Sequence, residues 1–170
     1  LASKSESYEI CFIPDNDYRG FLKRKDPAAF EKLAHGKLVT TEGAVLGEHD
    51  GYPFFTIGQR KGLGIATGKP LYVTAIHPDS NTVVLGDKTD LDKQTARVRK
   101  PNFQKLPGIT GEVEAVTKIR YKDKGTPSTL RMVDEHVLVD FHRPVAGIAP
   151  GQSAVFYDGD DVIGGGFIDR

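Results

Sequence analysis

The chain has 170 residues, 38% of them hydrophobic, with 19 Gly, 10 Pro and a single Cys. That is room for one ordinary domain or two small ones, and the Gly and Pro content favours short strands and tight turns over long helices. Formal net charge is zero, 23 basic against 23 acidic residues, so a nucleic-acid surface has to come from local clustering. No apolar run is long enough for a membrane span.

Residues 8–13 read as a short strand and 14–17 as a turn, with Asp17 placed to cap a following helix. Phe21, Leu22, Phe30 and Leu33 give an apolar helical face over residues 18–34, and Asp26-Pro27 breaks and restarts that helix. A hairpin follows, with strands at 37–40 and 44–46 around Thr41-Glu42-Gly43. Residues 47–51 read as a polar loop. Residues 70–76 and 82–85 flank Pro78-Asp79-Ser80-Asn81 as a second hairpin, and the charged stretch 86–95 reads as a solvated connector.

Residues 112–122 alternate. Val113, Ala115, Thr117, Ile119 and Tyr121 share one strand face, and Lys118, Arg120 and Lys122 share the other. After a loop at 124–127, residues 129–133 and 137–141 form a third hairpin around Asp134-Glu135. Residues 153–157 and 162–168 form a fourth around 158–161. Strands at this spacing predict a small closed or nearly closed barrel. The fold class expected is mainly β: a short strand-helix piece, a β-rich central module and a C-terminal antiparallel β-barrel. The divisions fall at 1–35, 36–95 and 96–170.

Cys11 is the only thiol, among Ile10, Phe12 and Ile13. A small buried core residue is one reading. A reactive thiol at a strand end before a helix is the other, since a helix N-terminus raises the thiolate fraction. The loop Gly58-Gln59-Arg60-Lys61-Gly62-Leu63-Gly64, without the Walker spacing, is either a phosphate-binding loop with two adjacent cations or a plain glycine-rich turn with solvated charges. Lys118, Arg120 and Lys122 make either a cationic stripe suited to phosphates or an ordinary exposed strand face, which Glu112 and Glu114 share. Gln152, in the turn Ala149-Pro150-Gly151-Gln152, can hydrogen-bond a base or cap the turn. Gly164-Gly165-Gly166 reads as a bulge or tight packing site. The five histidines have no metal-ligand spacing, and no metal site is expected.

In order, these segments resemble the tRNA-specific 2-thiouridylase family. The resemblance rests on residues 10–13, Gly47-Glu48-His49-Asp50-Gly51 and the run from Thr56 to Gly64. It extends through Lys118-Ile119-Arg120-Tyr121, residues 149–157 and Gly164-Gly165-Gly166-Phe167-Ile168. It implies a longer protein: an N-terminal ATP-pyrophosphatase domain, a central domain and a C-terminal β-barrel. It implies ATP-dependent replacement of the C2 oxygen of the tRNA wobble uridine, U34, by sulfur.

Cys11 is then the persulfide carrier, able to form a disulfide with a second cysteine of the N-terminal domain. Arg120, Tyr121 and Gln152 touch tRNA, with Lys118 beside them, and Arg60 and Lys61 lie near the central domain's tRNA face. ATP belongs to the N-terminal domain, because the Ser-Gly-Gly-x-Asp-Ser loop is absent from this sequence, so the chain alone is expected to be inactive. The expected partners are tRNA and a sulfur-relay donor protein, with no membrane, a monomeric state and a cytoplasmic setting. A non-catalytic β-barrel RNA-binding module and a stand-alone thiol enzyme are the alternatives.

Overall fold

A computed structural model describes residues 13, 17–66 and 68–169. Two short helices come first, α1 (Tyr18–Lys25) and α2 (Pro27–Leu33). Asp17 caps α1 as its side chain predicts, accepting the Gly20 N–H at 2.8 Å. Asp26 ends one helix and starts the next: its N–H donates to Leu22 O, and its carboxylate accepts the Ala29 N–H at 3.0 Å. Pro27 at the first position of α2 lacks only a donor that would have no helical partner. Apart from Ile13 and Asp17, the strand and turn expected over 8–17 lie outside the described residues.

The first sheet holds β1 (Gly36–Thr40), β2 (Val45–His49), β3 (Tyr72–His77) and β4 (Thr82–Gly86), in the order β2-β1-β4-β3. Both expected hairpins are present, and the parallel pairing of β1 with β4 joins them. Leu38, Val73, Val83 and Leu85 form its core with Phe55, Leu63 and Leu71. The polar-loop reading of 47–51 is corrected. The β1 ladder carries β2 on to His49, which pairs with Gly36 and is buried. The helices dock on this module through Phe30, whose ring stacks on Phe54 at 5.0 Å, and through Asn81 Nδ2, which donates to Leu33 O at 2.8 Å.

The second body is a closed barrel of β5 (Asp92–Phe103), β6 (Glu112–Lys118), β7 (Thr126–Val133), β8 (His136–Ala146), β9 (Ser153–Asp158) and β10 (Asp161–Ile168). The order is β10-β5-β8-β7-β6-β9 and every pairing is antiparallel. Closure leaves no free edge for stray strand pairing. Val98, Leu130, Val137, Val139 and Phe156 are fully buried inside, each worth about 1.5–3 kcal/mol of transfer free energy.

Three sequence readings are corrected here. The connector over 86–95 is a 3-10 turn, Lys88–Leu91, started by an Asp87–Asp90 capping box, and strand β5 begins at Asp92. Strand β7 begins at Thr126, so Pro127 sits in the ladder opposite Val116. The strand expected over 112–122 stops at Lys118, so Tyr121 does not share the core face of Ala115, Thr117 and Ile119.

Candidate functional site

Asp123 stops β6. Its carboxylate accepts the Ile119 N–H at 3.1 Å and the Gly125 N–H at 2.9 Å, and its own N–H donates to Arg120 O at 3.0 Å. This is an Asx-type turn, in which a short acidic side chain replaces ladder partners. Ile119, 1% exposed, anchors the loop in the barrel, while Tyr121 stands 85% exposed. Arg120 is held from the side, its guanidinium donating to Ala146 O at 2.7 Å. Lys118 lays its ammonium 4.5 Å from the centre of the Tyr157 ring, a cation–π contact.

Facing this loop is the turn before β9. Gly151 takes φ +86, and its N–H donates to Ile168 O. The Ile168 N–H donates to Gln152 O at 2.7 Å. Gln152 is thereby fixed beside the loop, and its side-chain Oε1 is buried with no partner. Lys118, Arg120, Tyr121 and Gln152 together line one open recess of about 560 Å³, with Ser153, Val155 and Tyr157 completing its wall. Of the stripe expected on one strand face, Lys118 and Arg120 meet around this loop, and Lys122 does not line the recess.

Arg60 and Lys61 do not join this recess. Arg60 lines a separate one of about 370 Å³ with Lys69, and Lys61 lines neither. Gly58, Gly62 and Gly64 have positive φ, as the sequence suggests. The loop's first two amides are already used: Gly58 N–H donates to Val73 O and Gln59 N–H to Thr56 O, while the Gln59 side chain bridges Thr56 N and Lys61 O. Among the described residues no helix starts after it, and β3 follows instead. A phosphate-binding loop typically delivers its N–H groups at a helix N-terminus, and this loop has no such helix.

Cys11 lies outside the described residues. Among the described residues no group of three or more His, Cys, Asp or Glu side chains is placed to hold a metal ion, and no helix is long and apolar enough to cross a membrane. His49 is buried against Phe55, ring centres 5.1 Å apart, and its Nδ1 accepts the Gly51 N–H at 3.0 Å. Burial pushes its pKa down, against weaker opposing effects of the Asn81 carbonyl and Asp50. Sequence reasoning passed over Asp123 as the residue that shapes the site. Its signal was Asp123-Lys124-Gly125, an Asp two residues before a Gly.

Two family models match the chain. Residues 20–87 match the tRNA methyl transferase PRC-barrel domain and residues 93–168 the aminomethyltransferase beta-barrel domain. Among curated proteins, the tRNA-specific 2-thiouridylase MnmA of Cytophaga hutchinsonii is 52% identical over 99% of this chain and 46% of its own length. That of Amoebophilus asiaticus is 54% identical over 99% and 45%, and that of Salinibacter ruber 48% over 99% and 44%. The chain thus spans just under half the length of these relatives.

Proposed function

The chain belongs to the tRNA-specific 2-thiouridylase family, and from that premise we propose that it performs the RNA-gripping and sulfur-carrying share of U34 thiolation. The recess of Lys118, Arg120, Tyr121 and Gln152 receives the anticodon loop of tRNA. The observation that carries this is the buried, unpartnered Gln152 Oε1 beside an exposed tyrosine and two cations. An orphaned buried acceptor costs about 1–3 kcal/mol, so rotation of the Gln152 amide outward to meet a donor on a base edge would be favoured. Single-stranded loops are what proteins read by stacking and by base-edge hydrogen bonds.

In this reading Cys11 holds the sulfur to be transferred as a persulfide, because only a soft, ionisable thiol does so. A protein donor supplies that sulfur. Arg60 and Lys61 meet tRNA away from the recess. The residues before α1 are the end of a catalytic domain, followed by a central module that includes the two helices, and then the barrel. ATP activation and a second cysteine belong to the half of the relatives that this chain does not match, so the chain alone does not thiolate. The working setting is a cytoplasmic monomer.

Filter binding of tRNA over a salt series tests the grip. Arg120→Ala should lower affinity and reduce the log–log salt slope by about one. Tyr121→Ala should weaken binding about fivefold or more with the slope unchanged. Cys11→Ser should leave both untouched. An intact chain whose binding does not vary with salt would remove the proposal.

A further inference from the structure

The recess at Gln152 does not end at β9. Ser153 and Val155, which form one of its walls, also line a second recess of about 290 Å³ that crosses β10 to β5. Lys100, Asn102 and Gln104 stand on its β5 side, and Phe167 and Val162 on its β10 side. Phe167 is 45% exposed although large and apolar, and Arg99 covers it from 5.8 Å. Neither recess is lined by a single Asp or Glu, in a chain with as many acidic as basic residues.

Between these walls runs Gly164-Gly165-Gly166. A Cβ on Gly164 would stand 2.5 Å from Asn102 O, one on Gly165 2.5 Å from Ala154 O, and one on Gly166 2.7 Å from Arg99 O. β5 and β9 approach too closely for side chains there, so β10 stays bare over three residues in mid-strand. The result is a low floor flanked by an aromatic ring, side-chain amides and a cation.

We propose that the two recesses form one continuous track for single-stranded RNA, in which Phe167 is a second base-stacking platform beyond Tyr121. The proposal rests on the RNA reading of the first recess. A duplex hides its base faces and presents mainly phosphates and sugars, which exposed aromatics and amides serve poorly. A single strand offers π faces to Tyr121 and Phe167, base edges to Asn102 and Gln104, and phosphates to Lys118, Arg120 and Lys100. A peptide strand has no unpaired edge to join, because β9 and β10 are both paired on each side in the closed barrel.

The chain contains no tryptophan, so Tyr121→Trp and Phe167→Trp each create a single tryptophan reporter, excited selectively over the tyrosines. The probe is a hairpin RNA with a single-stranded loop, and blunt duplex RNA is the control. Both reporters should lose emission at the same hairpin concentration, and neither should respond to duplex. Quenching at position 121 with unchanged emission at 167 overturns the extended track and leaves the first recess standing. Silence at both overturns the reading on which it rests.

Lys100→Asn gives a second test independent of the ring. Asn tolerates the φ of +50 found there, so the charge is removed without backbone strain. The salt slope for hairpin binding should fall by about one, and an unchanged slope counts against the track. Phe167→Ala should weaken hairpin binding about fivefold or more at constant slope, and wild-type affinity in that variant overturns the stacking platform.

Discussion

Asp123→Ala separates the position of Arg120 and Tyr121 from their chemistry. The carboxylate accepts from Ile119 and Gly125, at 3.1 and 2.9 Å. Hydrogen bonds to a charged group contribute about 1.5–3 kcal/mol each, and Asp123 is only half-buried, so water recovers part of both and about 2 kcal/mol of loop order is lost. A competing effect runs the other way, because removing a negative charge near a phosphate favours binding. For charges ~10 Å apart in water that gain is about 0.4 kcal/mol, less with salt.

Positioning therefore wins, and tRNA binding should weaken by about tenfold, equivalent to roughly 1.4 kcal/mol. In a filter-binding salt series the Asp123→Ala line should lie below wild type at every salt with its slope preserved. Arg120→Ala should instead flatten the slope. Asp123→Asn, which keeps one acceptor oxygen, should fall between wild type and alanine. Equal or tighter binding by Asp123→Ala would refute the argument, because it would mean that charge outweighs geometry at this loop.

Two further outcomes concern the scaffold. Thr117 Oγ1 and Ser128 Oγ meet at 2.7 Å, both buried in the barrel. Ser128→Ala should cost about 1–3 kcal/mol in urea unfolding by orphaning Thr117, and the added Thr117→Val should restore most of it. Strictly additive losses would deny the coupling. His49 is held neutral by burial, with its pKa below the ordinary value. Its stabilisation is therefore complete above the unfolded pKa, about 6.5, and is lost as pH falls through that value toward the lower folded one. Between about pH 7 and pH 5 the wild-type urea midpoint should drop more than that of His49→Gln, and parallel profiles would contradict this.

The hairpins were legible because their turns carry their own chemistry. Asp134 takes φ +55 and Asn81 φ +47, conformations that Asn and Asp tolerate. The caps at Asp17 and Asp26 were legible for the same local reason. β5 was not. Only Ala96 and Val98 of its residues are buried, and its register is set by β8 and β10, far along the chain. Lys118, Arg120 and Gln152 were legible as chemistry, but their grouping was not. Alternation predicted a straight strand to 122, whereas Asp123 competes for the Ile119 N–H and turns the chain.

That turn also resolves how a neutral chain presents positive charge. Several cations elsewhere sit against carboxylates. Lys105 meets Asp158 and Asp161 at 3.0 and 2.8 Å, Arg131 meets Asp140 at 3.0 Å, and Lys69 meets Asp87 at 3.2 Å. Lys118 and Arg120 are oriented by neutral groups instead, an aromatic ring and a carbonyl oxygen. An ion pair cancels a cation's field within a few ångströms, whereas a dipole fixes its direction and leaves the whole charge for a phosphate. Net charge is therefore a poor guide to binding in this chain. What counts is which cations are held without an acid beside them, and the loop and turn around Gln152 bring two such cations together.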